Sequence, residues 1–445
     1  MLDRTVKADF SKKLGKLRPI SAGLGGPLFS FALSQDFTEE FREMNIPFIR
    51  LSDTDLYGGT HPLDIHTIFG DPGLDPSFEL SYNFTEADKL VLAAVSTGAS
   101  VFLRLGESPD PYHSGVRRPT MPPLKWAKVA EKIILHYNKG FAGGYKLGIK
   151  YIEIWPGADR PEYWIGTPEE YYRFYSTVAT YLKSKFPSLR IGGYSAGGFM
   201  SLNDFATSKR EKDYISFLEG FLAYTARRDI KAPLDFLSWE CSAASPDELT
   251  LHNSYARSYL AGCGHKKAAS IVSRFSLKEK GEPQHLERTY PARLIISLIL
   301  AEKSGIDMMF YDNLDPFSDK CSLWSLEDRK NKHYYSAYRA MTAYGRLTAL
   351  GTAVLTTDDF RREVYSLAAT DGDLGAVLLV TDRYSGSLKL EISGADFTSY
   401  SIRGMLGGGT RGVGYAKEEE NIPLIAPYIS LKVGSGEVYL ITLRK

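Results

Sequence analysis

Between about residues 20 and 347, short apolar, β-rich runs alternate with helical stretches, and this alternation constrains the fold more than any other feature. The runs are "PISAGLGG" (19–26), "IPFIRLSD" (46–53), "ASVFLRLGE" (99–107), "KYIEIWPG" (150–157), "RIGGYSAGG" (190–198), "LDFLSWECS" (234–242), "ASIVSRFS" (269–276) and "GIDMMFYDN" (305–313). Helical signals separate them. "FTEADKLVLAAVSTG" offers Thr85 as an N-cap and Gly98 as a stop. "TPEEYYRFYSTVATYLKSKFP" has Thr167 as cap, Pro168 at the first position, acids in its first turn and lysines in its last. "RTYPARLIISLILAEKSG" is apolar almost all round and predicts a well-buried helix. Eight strands alternating with helices predict an α/β fold of the (β/α)8 TIM-barrel type. An open doubly wound sheet is the competing arrangement. It lacks support because no run is followed by a GxGxxG loop opening a helix; "AGLGGP" has the wrong spacing and leads into more loop.

Beyond about 350 the pattern changes to β-type alternation, broken by Gly, Asp and Ser turns, as in "REVYSLAATDGDLGAVLLVTDRYSGSLKLEISGADF". This predicts a β-sandwich over 348–445, joined by a strand from 1–19 that includes "RTVKADF", with the barrel at 20–347. The sandwich is expected to pack on the barrel.

Composition excludes several classes. A net charge of +1 argues against nucleic acid or an anionic membrane as partner. The three cysteines, Cys241, Cys263 and Cys321, have neither disulfide-framework nor metal-ligand spacing. No run is apolar and long enough to span a bilayer. The expectation is a soluble chain, cytoplasmic as given, or secreted if a signal peptide was removed. No cofactor is implied, and the sequence carries no signal for oligomeric state.

In a barrel of this type the chemistry sits at the C-terminal ends of the strands. Those ends carry Asp53 and Asp55, Glu107, Asp159 and Glu162, Glu240, Arg274, and Tyr311 with Asp312, with Trp155, Trp164 and Trp239 among them. Carboxylates ringed by aromatics suit an oligo- or polysaccharide, because aromatic faces stack on sugar C–H faces and carboxylates bind hydroxyls or move protons.

On these residues the chain resembles the family 39 glycoside hydrolases, the β-xylosidase and α-L-iduronidase group of retaining (β/α)8 enzymes. "VKADFSKKLGKLRPISAGLGGP", "IPFIRLSD", "YNFTEADKLVLAAVSTGASVFLRLGESPD" and "EIW…TPEEYYRFYSTVATYLKSKFPSLRIGG" carry the resemblance. The resemblance also implies departures. The family's fourth strand ends in W-N-E-P, whose Glu is the general acid/base; here "WPGA" puts Pro156 and Gly157 at the Asn and Glu. "SRF" puts Arg274 where the family's nucleophile stands. Ser52 and Glu240 take the places of two histidines, while Arg50 remains.

Two functions follow. One is a glycosidase with relocated carboxylates, Glu240 as general acid and Asp159 as base, with Asp53, Glu107, Trp164, Arg274, Tyr311 and Asp312 binding substrate. A carboxyl pair about 5–5.5 Å apart would retain, and one roughly 6.5–9.5 Å apart would invert. Glu240, beside Trp239 in an apolar strand, is expected to have a raised pKa. The other is an inactive carbohydrate-binding pseudoenzyme. Plainer readings stand beside these: Glu240 paired with Arg274, Asp159 braced by Arg160, Asp53 solvated, Glu107 in a turn, Trp155 and Trp239 in the core. Trp164 and Tyr311 are the better stacking candidates. Arg274 invites an anionic sugar unless Glu240 neutralises it. "HPLDIH" (61–66) fits no strong metal motif, so no metal is expected. "GYSAG" lacks the helix and triad partners of a nucleophile elbow.

Overall fold

The computed structural model describes residues 4–29, 36–51, 61–108, 117–199, 202, 209–278, 283–284, 287–312, 314–318, 320–327, 331–358, 363–405 and 417–445. A strand β1 (Arg4–Lys16) precedes eight parallel strands that close into a barrel in chain order. These are β2 (Ser21–Leu24), β3 (Phe48–Arg50), β4 (Ser100–Leu105), β5 (Tyr151–Ile154), β6 (Arg190–Ala196), β7 (Phe236–Ala243), β8 (Ala269–Leu277) and β9 (Met308–Tyr311). The helices are α1 (Thr38–Glu43), α2 (Ile65–Ile68), α3 (Thr85–Ser96), α4 (Pro123–Lys139), α5 (Pro168–Lys185), α6 (Lys209–Ala226), α7 (Pro246–Gly262), α8 (Tyr290–Ser304) and α9 (Ser336–Ala349). The fold is the TIM barrel that the alternation predicts. A two-stranded hairpin, β10 (Trp324–Glu327) with β11 (Asn331–Tyr334), follows β9 and has no counterpart in the sequence reading.

Local chemistry accounts for the helix ends. Thr167 caps α5 as expected: its hydroxyl accepts from the Glu170 N–H at 3.2 Å, and the Glu170 carboxylate accepts from the Thr167 N–H at 2.7 Å. At α3 the reading is one residue late. Thr85 is already helical, Phe84 holds the cap position, and Asn83 Oδ1 accepts the Thr85 N–H at 3.2 Å.

The barrel interior changes character along its axis. Ala22, Leu24, Phe102, Phe236, Ile271, Met308 and Phe310 form one apolar cluster, with Phe48 and Tyr151 against it. Strand side chains alternate with period two, so two residues further toward the C-terminal ends the same rows carry Arg50, Arg104, Glu153, Ser238 and Ser273, all buried. Arg50 Nε and Nη2 donate to Glu153 Oε2 at 2.9 and 2.6 Å. The floor is apolar, with Phe102, Phe236 and Phe310 at its centre, and the upper layers are polar.

The remaining strands are β12 (Thr352–Thr357), β13 (Val364–Thr370), β14 (Leu374–Thr381), β15 (Gly386–Ser393), β16 (Ser399–Met405), β17 (Lys417–Pro423), β18 (Tyr428–Val433) and β19 (Val438–Arg444). With β1 they make a nine-stranded sheet in the order β17-β16-β19-β14-β13-β12-β1-β15-β18. The sheet curls over its own core, where Val6, Leu390 and Leu431 join Val377 and Ile441. Alternate residues of β14 and β19, such as Leu378 and Leu440, belong instead to the barrel's core cluster. α8 and α9 lie against that face, which explains why α8 is buried almost all round. No helix follows α9 among the described residues, and none there is long and apolar enough to cross a membrane.

Candidate active site

Three neighbouring strand pairs lose register at the same height, near the C-terminal mouth. The shifts fall between Gly193 and Ala196 on β6, between Trp239 and Glu240 on β7, and between Val272 and Phe275 on β8. Bulges re-aim side chains and are common beside active sites. Here the bulge leaves Ser273 over and sets Arg274 directly across from Glu240.

Gly157, three residues past β5, has φ +67. A Cβ there would lie 2.5 Å from Arg160 Nη2, 2.9 Å from Arg160 Nε and 2.9 Å from Tyr163 Cδ2. The space a side chain would enter is filled by the Arg160 guanidinium, which stacks on the Tyr163 ring at 4.6 Å. The same guanidinium grips Glu240 with two parallel bonds, Nη1 to Oε2 and Nη2 to Oε1, both 2.9 Å. Ser195, itself at φ +57, donates to Glu240 Oε1 at 3.0 Å and exchanges a hydrogen bond with Ser273 at 2.9 Å.

These contacts correct two expectations for Glu240. Burial does act to raise its pKa, but Arg160 and then Arg274 outweigh it and hold the carboxyl below its ordinary value. Glu240 is therefore an anion, not a stored proton, and its bidentate partner is Arg160 rather than Arg274. Arg274 Nε lies 3.8 Å from Asp312 Oδ2, and the two side chains are 34% and 29% exposed. Glu240 keeps 18% exposure at the mouth.

Asp159 behaves in the opposite way. Its side chain is fully buried, with Oδ2 accepting the Gly197 N–H at 2.7 Å and Oδ1 3.8 Å from Arg160 Nε. Burial, only partly offset by Arg160, pushes its pKa up to about 7. A carboxyl raised in this way stabilises the fold fully below its unfolded pKa and loses that contribution as pH rises through about 7. Asp159→Asn is thus expected to gain stability relative to the parent between about pH 4 and about pH 8. Urea midpoints across that range check it; a constant difference would show that Asp159 is ionised throughout.

The other site candidates separate. Glu107 is 2% exposed, not open to solvent, and pairs with His66. Trp164 is buried among Trp155, Tyr171 and Phe174, so protein rings occupy the faces a sugar would need. Tyr311 is also buried, its hydroxyl bonded to those of Tyr290 and Ser322. Trp155 and Trp239 are core residues. Asp53, with Ser52, Asp55 and Tyr57, lies outside the described residues. Cys241 is buried against His252, and its thiol is pushed up by burial, so it is no nucleophile. The sequence reading missed Arg160 as the centre of the site. The cue was Arg160 in the loop that follows β5.

The fold is that of the family 39-like glycoside hydrolases. The chain superimposes along its whole length on a glucosidase from Croceicoccus marinus, with a TM-score of 0.80 and 18% identity. It also superimposes on a monomeric β-xylosidase from Caulobacter crescentus (TM-score 0.71, 15% identity, 99% of each chain). The GH39 enzyme from Xanthomonas axonopodis pv. citri gives a TM-score of 0.71 at 16% identity, over 100% of this chain and 98% of that one. In sequence, 221 residues are 24% identical to a β-xylosidase of Caldicellulosiruptor saccharolyticus, covering 45% of this chain and 43% of that enzyme. No family model matches.

Proposed function

We propose that this chain binds a carbohydrate at the mouth of its barrel and does not cut it by the two-glutamate retaining route. The observation that carries this reading is the Arg160 clamp. A guanidinium fills the space over Gly157 and holds Glu240 bidentately. On the resemblance, Gly157 is where the acid/base glutamate would project and Arg274 is where the nucleophile would stand. Neither a glycine nor a guanidinium can supply that chemistry. The proposed ligand contacts are the partly exposed charges of Glu240, Arg274 and Asp312, which suit sugar hydroxyls. The relatives that act on glycosides support a carbohydrate as the ligand class.

One observation favours the relocated-carboxylate reading, with its roles exchanged. Asp159 is pushed toward the protonated form while Glu240 is held as an anion, and carboxyls driven apart in pKa are the usual mark of an acid and its partner. Against it, the Asp159 side chain has no exposed surface from which to pass a proton.

The test is calorimetric titration with xylosides, glucosides and arabinosides alongside an assay of reducing-sugar release. Binding without turnover is expected. Arg274→Ala should weaken that binding about 10- to 100-fold, the loss of one hydrogen bond to a charged group. Hydrolysis by the parent that disappears in both Glu240→Gln and Asp159→Asn would instead establish the relocated pair.

A further inference from the structure

Ser195, near the C-terminal end of β6, touches both halves of the Arg160–Glu240 clamp. Its hydroxyl donates to Glu240 Oε1 at 3.0 Å, and its carbonyl accepts from Arg160 Nη2 at 3.3 Å. Its N–H donates to Ser238 Oγ on β7 at 2.8 Å. Its hydroxyl oxygen lies 2.9 Å from that of Ser273 on β8, and Ser273 can also donate to the Trp239 carbonyl at 3.2 Å. Every polar atom of Ser195 is therefore engaged, and the bonds span the three strands where the barrel loses register. The residue is fully buried, so Ser195 acts on a ligand only through Glu240.

Ser195 also has φ +57, in the left-handed region where the Cβ of an L-residue crowds the backbone. Glycine adopts that conformation freely and is the usual left-handed residue of a bulge. The chain has glycine close at hand: "GGYSAGG" (192–198) places it at four of seven positions. The left-handed position nevertheless carries a serine. Strained backbone persists where surrounding contacts over-determine it, and such positions gather at functional sites. Packing alone does not call for a hydroxyl, since a buried hydrogen-bonded pair adds little over apolar groups of the same shape. What the hydroxyl adds is a grip on Glu240. Arg160 fixes the carboxylate to the end of a long side chain with several rotatable bonds. The Ser195 hydroxyl is a single rotatable bond from the strand, so it ties the carboxylate to the barrel wall. An acceptor held in place beforehand binds a ligand with less ordering cost.

We propose that Ser195 is a positioning residue of the carbohydrate site. Its left-handed backbone aims the hydroxyl at Glu240 and the carbonyl at Arg160, and so holds the Glu240 carboxylate in the orientation that accepts a ligand hydroxyl. The serine is kept at a position suited to glycine because glycine would leave Glu240 held by arginine alone. The proposal rests on the carbohydrate reading for the class of ligand.

The experiment follows the Glu240 carboxyl by carbon-13 NMR on the full chain labelled at its glutamate carboxyls, the signal being identified by its absence in Glu240→Gln. Ser195→Gly suits the backbone conformation and removes the hydroxyl. It should raise the pH midpoint of Glu240, because a hydrogen bond to the ionised form is lost. By calorimetric titration it should also weaken binding of methyl β-D-xyloside or methyl β-D-glucoside about 3- to 10-fold. A midpoint that stays put overturns the proposal. So does a midpoint that moves while a bound glycoside keeps its full affinity, a result that spares the carbohydrate reading. If neither glycoside binds the parent, the carbohydrate reading and the positioning role fall together, whatever the midpoint does. Ser195→Ala lacks the hydroxyl but keeps a Cβ, so it should unfold at lower urea than Ser195→Gly. Equal urea midpoints would show that position 195 is unstrained and would remove the reason for a special role. A Ser195→Gly chain that does not fold would make the serine a structural residue first and overturn the proposal as well.

Discussion

Arg160→Met is expected to cost about 3 kcal/mol of folding stability at neutral pH, the low end of the penalty for removing one partner of a buried ion pair, because Arg160 and Glu240 keep 12% and 18% exposure. The variant leaves Glu240 with two lost hydrogen bonds and Asp159 without its nearby cation. The sign of the pH dependence follows from the Glu240 carboxyl, which Arg160 and then Arg274 hold low against burial. Its stabilising contribution is present above its unfolded pKa and is lost as pH falls through its lower folded pKa. Without Arg160 both carboxyls take up protons more readily, so the penalty should shrink toward about pH 4. Adding Glu240→Gln to the variant should restore more than half of the loss, because the stranded charge is gone. Chemical denaturation of the four proteins at two pH values measures all of this. An unshifted midpoint in Arg160→Met would mean that the clamp contributes nothing.

The second large effect is functional. Gly157→Glu combined with Arg274→Glu is expected not to give a fast retaining glycosidase, although it puts carboxyls where the resemblance asks for them. Position 157 sits at φ +67, where an L-residue costs about 1–2 kcal/mol. Its Cβ would also drive into the guanidinium that holds Glu240. A glutamate at 274 would face Glu240 directly across the β7–β8 pair, and two like charges there would keep one of them protonated. Pro156 adds a missing backbone donor. The assay is turnover of aryl xylosides, arabinosides, galactosides and uronides, with the anomer of the product followed by NMR. Robust turnover with net retention would show that the site is disabled at two positions and otherwise intact.

The fold was legible for a physical reason. A parallel barrel strand is covered on both faces, so each reads as a mostly apolar run, as "YIEI" does in β5, broken only by the buried Glu153. The Thr167 capping box was legible because its partners are three residues apart. The hairpin β10–β11 was not: "LWSLE" and "NKHYY" show no clean alternation. The site was legible as a set of strand ends but not as a network. Arg160 and Glu240 are 80 residues apart and meet only because the barrel closes with β6 between their strands. His66 and Glu107 are likewise 41 residues apart. Burial was the other gap. Trp164 and Tyr311 have the chemistry of a sugar platform, but whether a ring faces solvent depends on neighbours that the local sequence does not name. Glu240 shows the same limit for charge: an apolar strand predicts a raised pKa, and arginines from other parts of the sequence, Arg160 before Arg274, reverse it.

β1 lies seventh in the nine-stranded sheet, hydrogen-bonded to β12 on one side and β15 on the other. Take it away and the sheet falls into six strands and two. Yet β1 leaves the ribosome before the barrel, and its partners follow only after the barrel. At about 5–20 residues per second, the wait is on the order of tens of seconds. Through that interval a thirteen-residue strand carrying Val6, Ala8 and Phe10 has no edge to join. Its many charged residues, Lys7, Asp9, Lys12 and Lys13 among them, then have a kinetic role: they keep a waiting strand from pairing with the wrong neighbour.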